Sequence, residues 1–313
     1  MTWVHDLNHD EIRSGFLVTA HRKRIWEVEL SLLAELERVC AKYGLSYYAD
    51  LGTLLGAVRH QGFIPWDDDL DVTMLRPDYE RLKEVGAKEF QPPFFFQNAY
   101  TDEAFYQLAK IRYDGTTGME SLDMTNHQGI FLDIFPLDVF PDGSPQMAEV
   151  APVQQELYAI AVHEDLYCAL LAKGAPMRLS EETRTHLLRL TNRERFDVYE
   201  KFQREHFDDS VRLNFSGYEL GQRHLHIRRS WYKETVRLPF EGGTIAAPVG
   251  YEPLLHELYG DYRRFVKFAA DHGNEIRFSP DVSYEAYRAA RLAQRDQERE
   301  SGMKPLGEER GGR

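Results

Sequence analysis

The run Ile64-Pro65-Trp66-Asp67-Asp68-Asp69-Leu70-Asp71-Val72 constrains this chain more than any other feature. Asp67, Asp69 and Asp71 alternate. In an extended strand, residues two apart point to the same face, ~6.5–7 Å apart. Carboxylates gathered on one face repel unless a cation neutralises them. Aspartate oxygens suit a hard ion such as Mg²⁺ or Mn²⁺, and carboxylates holding such ions can support an in-line displacement at phosphorus. A solvated acidic turn is the competing reading. The apolar wall of Ile64, Pro65 and Trp66, with Leu70 and Val72 on the buried side, frames these acids in a way that a turn does not need.

The surrounding pattern predicts the fold around this strand (69–75). Ile25, Val28, Leu32, Leu33, Leu36 and Val39 recur at helical spacing over 21–43, with Gly44 as a stop. Strands are expected at 45–51, 94–99, 105–113 and 129–135. Helices are expected at 53–61, from Arg76-Pro77 to about 88, and at 253–262. The chain turns helical from Pro145 to about 210, and strand-and-turn chemistry returns at 231–250. The expected organisation is an N-terminal helical segment (1–44), a catalytic core (45–140), a helical region (141–230), the C-terminal part of the catalytic unit (231–285) and a charged, flexible tail (286–313). No internal repeat is visible. The fold class is α+β: a mixed sheet flanked by helices, with a mainly helical insert or second lobe.

Two further features gain meaning from the acidic strand. A strand ending at Gly52 and a helix starting at Thr53 would offer free N–H groups to a phosphate, and glycine lets a ligand approach closely. Asp133, inside the apolar run GIFLDIF (129–135), is costly to bury unless paired. It could complete a metal triad with Asp69 and Asp71, accept a proton from an attacking hydroxyl, or cap a nearby loop. Asp138 follows a proline and reads as a turn former. Lys110 and Arg112 alternate on one strand and could bind donor phosphates or simply face solvent. Arg59 ends the helix after Thr53, where a cation reaches a phosphate or complements the helix dipole. His127 is a proton shuttle or a structural histidine.

Bulk properties narrow the class. With 313 residues, 42% hydrophobic and 12% aromatic, the chain can bury a real core. A formal net charge of −13 argues against nucleic acid as a partner. Cys40 and Cys168 read as reduced core residues. No apolar run is long enough to span a membrane, and the first residues show no secretory pattern, so a cytoplasmic protein is expected, in bulk or at the inner face of the membrane.

The order strand, Gly-Thr, helix, D-x-D strand and a later acidic strand resembles the nucleotidyltransferase superfold. More narrowly, GTLLGAVRHQGFIPWDDDLDV, GIFLDIFPLD and LPFEGGTIAAPVGYEPLLHELYGDY resemble, in order, three blocks of the LicD family, whose wider group includes fukutin and fukutin-related protein. The resemblance implies transfer of a phospho-group, phosphocholine or an alditol phosphate, from a CDP-linked donor (CDP-choline or a CDP-alditol) to a hydroxyl of a glycan or glycolipid such as lipopolysaccharide or teichoic acid, with release of CMP. It implies a divalent metal, Mg²⁺ or Mn²⁺, on Asp69 and Asp71, Asp133 as third acid, and donor contacts from Gly52 and Thr53. The cysteine-rich zinc insert of the fukutin-related branch is missing, so zinc is not expected. The superfold leaves a second reading, transfer of a nucleoside monophosphate from an NTP to a small hydroxylated acceptor. A catalytically inactive binding module is a third.

Overall fold

The computed structural model describes residues 6–139, 145–206, 212–215, 227–265 and 276–300. A short hairpin, β1 (Glu11–Arg13) and β2 (Phe16–Val18), leads into α1 (Ala20–Tyr43). Thr19 caps α1, its Oγ1 accepting from the N–H of Arg22 at 3.2 Å. Gly44 ends it in the left-handed region at φ 67° and donates its N–H to the carbonyl of Cys40. The apolar stripe read from the sequence is the buried face, but that face also buries Lys23 and Glu29.

The chain then lays down β3 (Tyr48–Ala49), α2 (Leu51–His60), β4 (Asp71–Leu75) and α3 (Arg76–Glu89), with Pro77 in the first turn of α3. β5 (Phe94–Gln97), β6 (Ala109–Tyr113), β7 (Thr117–Met119) and the long β8 (Phe131–Val139) follow. β8 is the spine of a seven-stranded mixed sheet. Along one edge it pairs in parallel with β4, whose other edge pairs antiparallel with β3. Along the opposite edge its first half pairs antiparallel with β6, which pairs with β5. A nearly unbroken apolar run explains why β8 sits centrally: Ile130, Leu132, Ile134 and Leu137 are all fully buried. The fold is α+β, a mixed sheet with helices against it.

Four helices come next: α4 (Pro145–Val162), α5 (Glu164–Ala172), α6 (Glu181–Leu187) and α7 (Asn192–His206). Leu157, Tyr158, Ile160, Tyr167, Leu187, Phe196 and Tyr199 form a second apolar core there, separate from the one around the sheet. β9 (Arg212–Phe215) then pairs with the second half of β8, and β10 (Ile227–Arg228) with β9. The hairpin of β11 (Thr235–Phe240) and β12 (Gly243–Pro248) precedes α8 (Tyr251–Tyr259). β13 (Arg277–Ser279) pairs with β7, and α9 (Tyr284–Glu300) closes the described chain.

Several local expectations change. Asp138 is no turn residue: it lies within β8, buried, its carboxylate gripped by both Nε and Nη2 of Arg76. Cys40 is buried but Cys168 is exposed on α5, so only one of the two is a core residue. The charged stretch from 286 to 300 belongs to α9; the rest of that segment, 301–313, lies outside the described residues. No described helix is long and apolar enough to cross a membrane.

Candidate active site

Strand register builds the site. The parallel pairing of β4 with β8 sets Asp71 opposite Asp133, and the antiparallel pairing of β6 with β8 sets Lys110 opposite Asp133. Directly paired residues share a face. Asp71, Asp133 and Lys110 therefore form a row across three adjacent strands. Lys110 Nζ reaches Asp133 Oδ1 at 3.0 Å and Glu120 Oε1 at 2.9 Å. Arg112, two residues on, donates to Glu120 Oε2 at 2.6 Å and to the carbonyl of Gly129 at 3.0 Å.

The acids preceding Asp71 are not yet in the strand. Residues 67–70 form a loop entering β4, and ligand oxygens of Asp67, Asp68 and Asp69 lie within 4.8 Å of one another. The loop is held from two sides. Thr53 Oγ1 accepts from the N–H of Asp71 at 2.8 Å, and Arg22 donates to the carbonyl of Asp67. Gly52 gives Asp67 room, because a Cβ at position 52 would lie 2.4 Å from Asp67 Oδ2.

Helix α2 begins earlier than expected. Its cap is Asp50, β3 stops at Ala49, and Gly52 and Thr53 fall in the first turn. Asp50 Oδ1 accepts the N–H of Leu51 at 2.7 Å, and the N–H of Asp50 donates to the carbonyl of Asp71 at 3.2 Å. The helix terminus thus already carries a carboxylate of its own, beside the acidic row.

The electrostatics follow from this crowding. Burial pushes the Asp71 carboxyl well above its usual range, and Asp69, Asp133, Asp67 and Asp50 push it further. Burial also raises Asp133, with Lys110 opposing. Asp50 is pushed up to about 7 by burial, against the single hydrogen bond from Leu51. Glu120 is the contrast: burial works against its charge, yet Lys110 and Arg112 hold it down to about 2.

The model of the LicD/FKTN/FKRP nucleotidyltransferase domain matches residues 44–157. The lipopolysaccharide cholinephosphotransferase LicD of Haemophilus influenzae is 28% identical over 251 residues, covering 75% of this chain and 88% of that protein. Residues 44–157 therefore read as a LicD-type nucleotidyltransferase domain. Uncharacterized protein RP689 of Rickettsia prowazekii is 40% identical over 81 residues, covering 25% of this chain and 28% of that protein. Uncharacterized protein RT0683 of Rickettsia typhi is 41% identical over 54 residues, covering 17% of this chain and 18% of that protein. The span matched to the LicD family contains α2, the acidic loop, β4 and β8, and hence Asp50, Asp67–Asp69, Asp71 and Asp133.

Lys110 faces the acidic row, already engaged by two carboxylates. Arg112 is fully buried, its guanidinium occupied by Gln97, Glu120 and Gly129. Arg59 lies at the far end of α2, 4.2 Å over the ring of Phe265, and its Nε and Nη2 have no hydrogen-bond partner among the described residues. His127 is away from the acids: its Nδ1 accepts from Gly129, its Nε2 meets Asp114 at 2.8 Å, and its ring stacks on Phe95. Because Nδ1 accepts, the proton sits on Nε2; burial lowers its pKa.

Sequence reading missed Asp50 and Glu120. Asp50 had a signal, since an aspartate between a strand and a helix is an N-cap pattern. Glu120 had none: its role depends on strand pairing between β6 and β8.

Proposed function

We propose that this LicD-family transferase moves a phospho-group from a CDP-linked donor, phosphocholine or an alditol phosphate, to a hydroxyl of a lipopolysaccharide or a related glycan, releasing CMP. The observation carrying this reading is the register that seats Asp71 against Asp133 beside the Asp67–Asp69 loop. The related Haemophilus protein is named for transferring cholinephosphate to lipopolysaccharide, which favours phosphocholine and a glycolipid acceptor.

The donor set fits a hard divalent cation. Four other carboxylates raise Asp71, the ammonium of Lys110 meets only Asp133 among them, and every candidate ligand atom is oxygen. Asp69, Asp71 and Asp133 would hold Mg²⁺ or Mn²⁺, which supplies charge stabilisation to phosphate oxygens as CMP departs. The protein's own residues do the positioning. Lys110 fixes Asp133, Thr53 fixes the backbone of Asp71, and Gly52 admits Asp67. Arg59, with donor atoms unmade, takes an anionic part of a ligand at the far end of α2. Positioning and electrostatics carry the rate. The reading brings a cytoplasmic location, where a membrane-borne glycolipid acceptor is met at the inner face.

The test is a product assay. The chain is incubated with Mg²⁺, lipopolysaccharide and CDP-choline, CDP-ribitol or CDP-glycerol, and separately with CTP and small acceptors. CMP release with one CDP-linked donor, lost in Asp69→Asn and Asp71→Asn, supports the reading. Full activity in both variants removes the metal assignment, and pyrophosphate from CTP alone moves the protein to nucleotidyl transfer.

A further inference from the structure

Glu120 lies between β7 and β8, and both of its carboxylate oxygens are engaged. Oε1 meets Lys110 Nζ at 2.9 Å, and Oε2 accepts from Arg112 Nη2 at 2.6 Å. Arg112 cannot follow a moving partner. It is fully buried, and Gln97 and the carbonyl of Gly129 hold its other two nitrogens. The backbone here is pinned as well. The N–H of Glu120 donates to Gln128 Oε1 at 2.9 Å, and Arg288 of α9 donates to the carbonyl of Leu122 at 2.8 Å. Glu120 is therefore a fixed anion. Burial does not neutralise it, because Lys110 and Arg112 hold its carboxyl down to about 2.

Asp133 stands on the other side of Lys110. Lys110 Nζ is 3.0 Å from Asp133 Oδ1, but its hydrogen bond goes to Oδ2, at 3.3 Å. The ammonium also lies 3.8 Å from the ring centroid of Phe131. Asp133 Oδ1 is buried and has no hydrogen-bond partner among the described residues. An ammonium that met Asp133 alone would close on it to the ~2.7–2.9 Å of a charge-assisted bond. Glu120 draws it the other way, so one positive charge is divided between two carboxylates. Lys110, Arg112, Glu120 and Asp133 together balance in charge, and one oxygen of Asp133 is left over.

We propose that Glu120 is a positioning residue for the divalent cation: by holding Lys110 off Asp133, it leaves Asp133 Oδ1 to the metal. Without the charge of Glu120, Lys110 turns wholly to Asp133 and competes with the cation for it. The inference rests on the metal reading of Asp69, Asp71 and Asp133, and adds to it a residue that acts only through Lys110.

Mn²⁺ affinity of the full chain, measured without nucleotide by titration calorimetry, tests this in a double-mutant cycle. Glu120→Gln, close in shape, should bind Mn²⁺ at least about tenfold more weakly than wild type. Lys110→Met removes the competing ammonium and should bind at least as tightly as wild type. In the Lys110→Met background, Glu120→Gln should cost no further affinity, because the group through which Glu120 acts is gone. A merely structural role does not give this pattern, since loosened packing lowers affinity in both backgrounds alike. Unchanged affinity in Glu120→Gln, equal losses in both backgrounds, or weaker binding in Lys110→Met each overturns the proposal and spares the metal reading. If Glu120→Gln does not fold, Lys110→Met decides alone: binding as tight as wild type or tighter keeps the proposal, and weaker binding overturns it. A wild type that binds no Mn²⁺ overturns the metal reading itself, and this inference with it.

Discussion

At the scale of single residues, two positions beside the acids make opposite predictions. Gly52 lies in the first turn of α2 with an ordinary backbone, so alanine there is conformationally acceptable; what it meets is Asp67 Oδ2, 2.4 Å from the new Cβ. Gly52→Ala should therefore melt close to wild type, while displacing Asp67 lowers kcat/KM by about 10–100-fold, the usual consequence of misplacing a site by about an ångström. A large fall in Tm with unchanged specific activity would refute this. Asp50 predicts a pH effect. Its folded value of about 7 lies well above the ordinary aspartate range, so the folded protein holds a proton that the unfolded chain releases. Its contribution is present at low pH and is lost as pH rises from about 4 to about 7. Asp50→Asn, which keeps an oxygen for the Leu51 N–H, removes that loss. In EDTA, urea midpoints of wild type relative to Asp50→Asn should fall by an amount equivalent to a few kcal/mol between pH ~4.5 and ~7.5, then level off. A parallel pair of curves would place Asp50 in contact with an unseen partner.

At the scale of elements, α3, β8 and α7 are joined by a buried ionic cluster. Arg76 on α3 grips Asp138 on β8 with two hydrogen bonds, and Lys83 on α3 pairs with Glu200 on α7. Removing one member leaves an uncompensated buried charge, typically costing about 3–5 kcal/mol. Asp138→Ala should lose that much in denaturant unfolding, while Arg76→Met/Asp138→Leu should lose much less; equal losses would mean that packing rather than charge holds the joint. This cluster also marks where sequence reading stops. Period and cap signals were enough for α1, α3 and β4, because each is decided by residues within one or two turns. The central rank of β8 was visible in its apolar run. Asp138 was misread because its partner is 62 residues upstream, and only strand and helix docking bring them together. The start of α2 was misplaced for a different reason: Gly-Thr looks like a helix opening, but the capping carboxylate of Asp50 precedes it. At the site itself, Asp71 and Asp133 stood out in the sequence as acids within apolar strands, whereas Asp69 was expected in the strand and lies in the loop before it. That Lys110 faces Asp133, and is therefore a neighbour of the acids rather than a solvent-facing cation, required the β6–β8 register.

At the scale of the whole molecule, the net charge of −13 is unevenly placed. Asp50, Asp67, Asp68, Asp71 and Asp133 are buried within one region, with Asp69 half-buried beside them; Lys110 pairs with Asp133, and Arg22 donates to the carbonyl of Asp67. Like charges confined in a low-dielectric site raise the free energy of the folded state. A ligand that binds only the folded state recovers stability as its concentration passes its Kd. The metal-free chain should thus be held below the stability its core could support, which is the usual relation between a working site and the fold that carries it. Two outcomes follow in a thermal melt. In EDTA, Asp71→Asn should melt above wild type, since it relieves a carboxyl crowded by four others, whereas Asp133→Asn, which also strips Lys110 of its partner, should melt below it. With saturating Mg²⁺ wild type should rise by several degrees, about 2–4 °C per kcal/mol for a chain of this size, and Asp71→Asn should rise much less. If wild type in EDTA is already the most stable of the three and Mg²⁺ leaves it unmoved, the carboxylates are satisfied from within the protein and the site is not built around a cation.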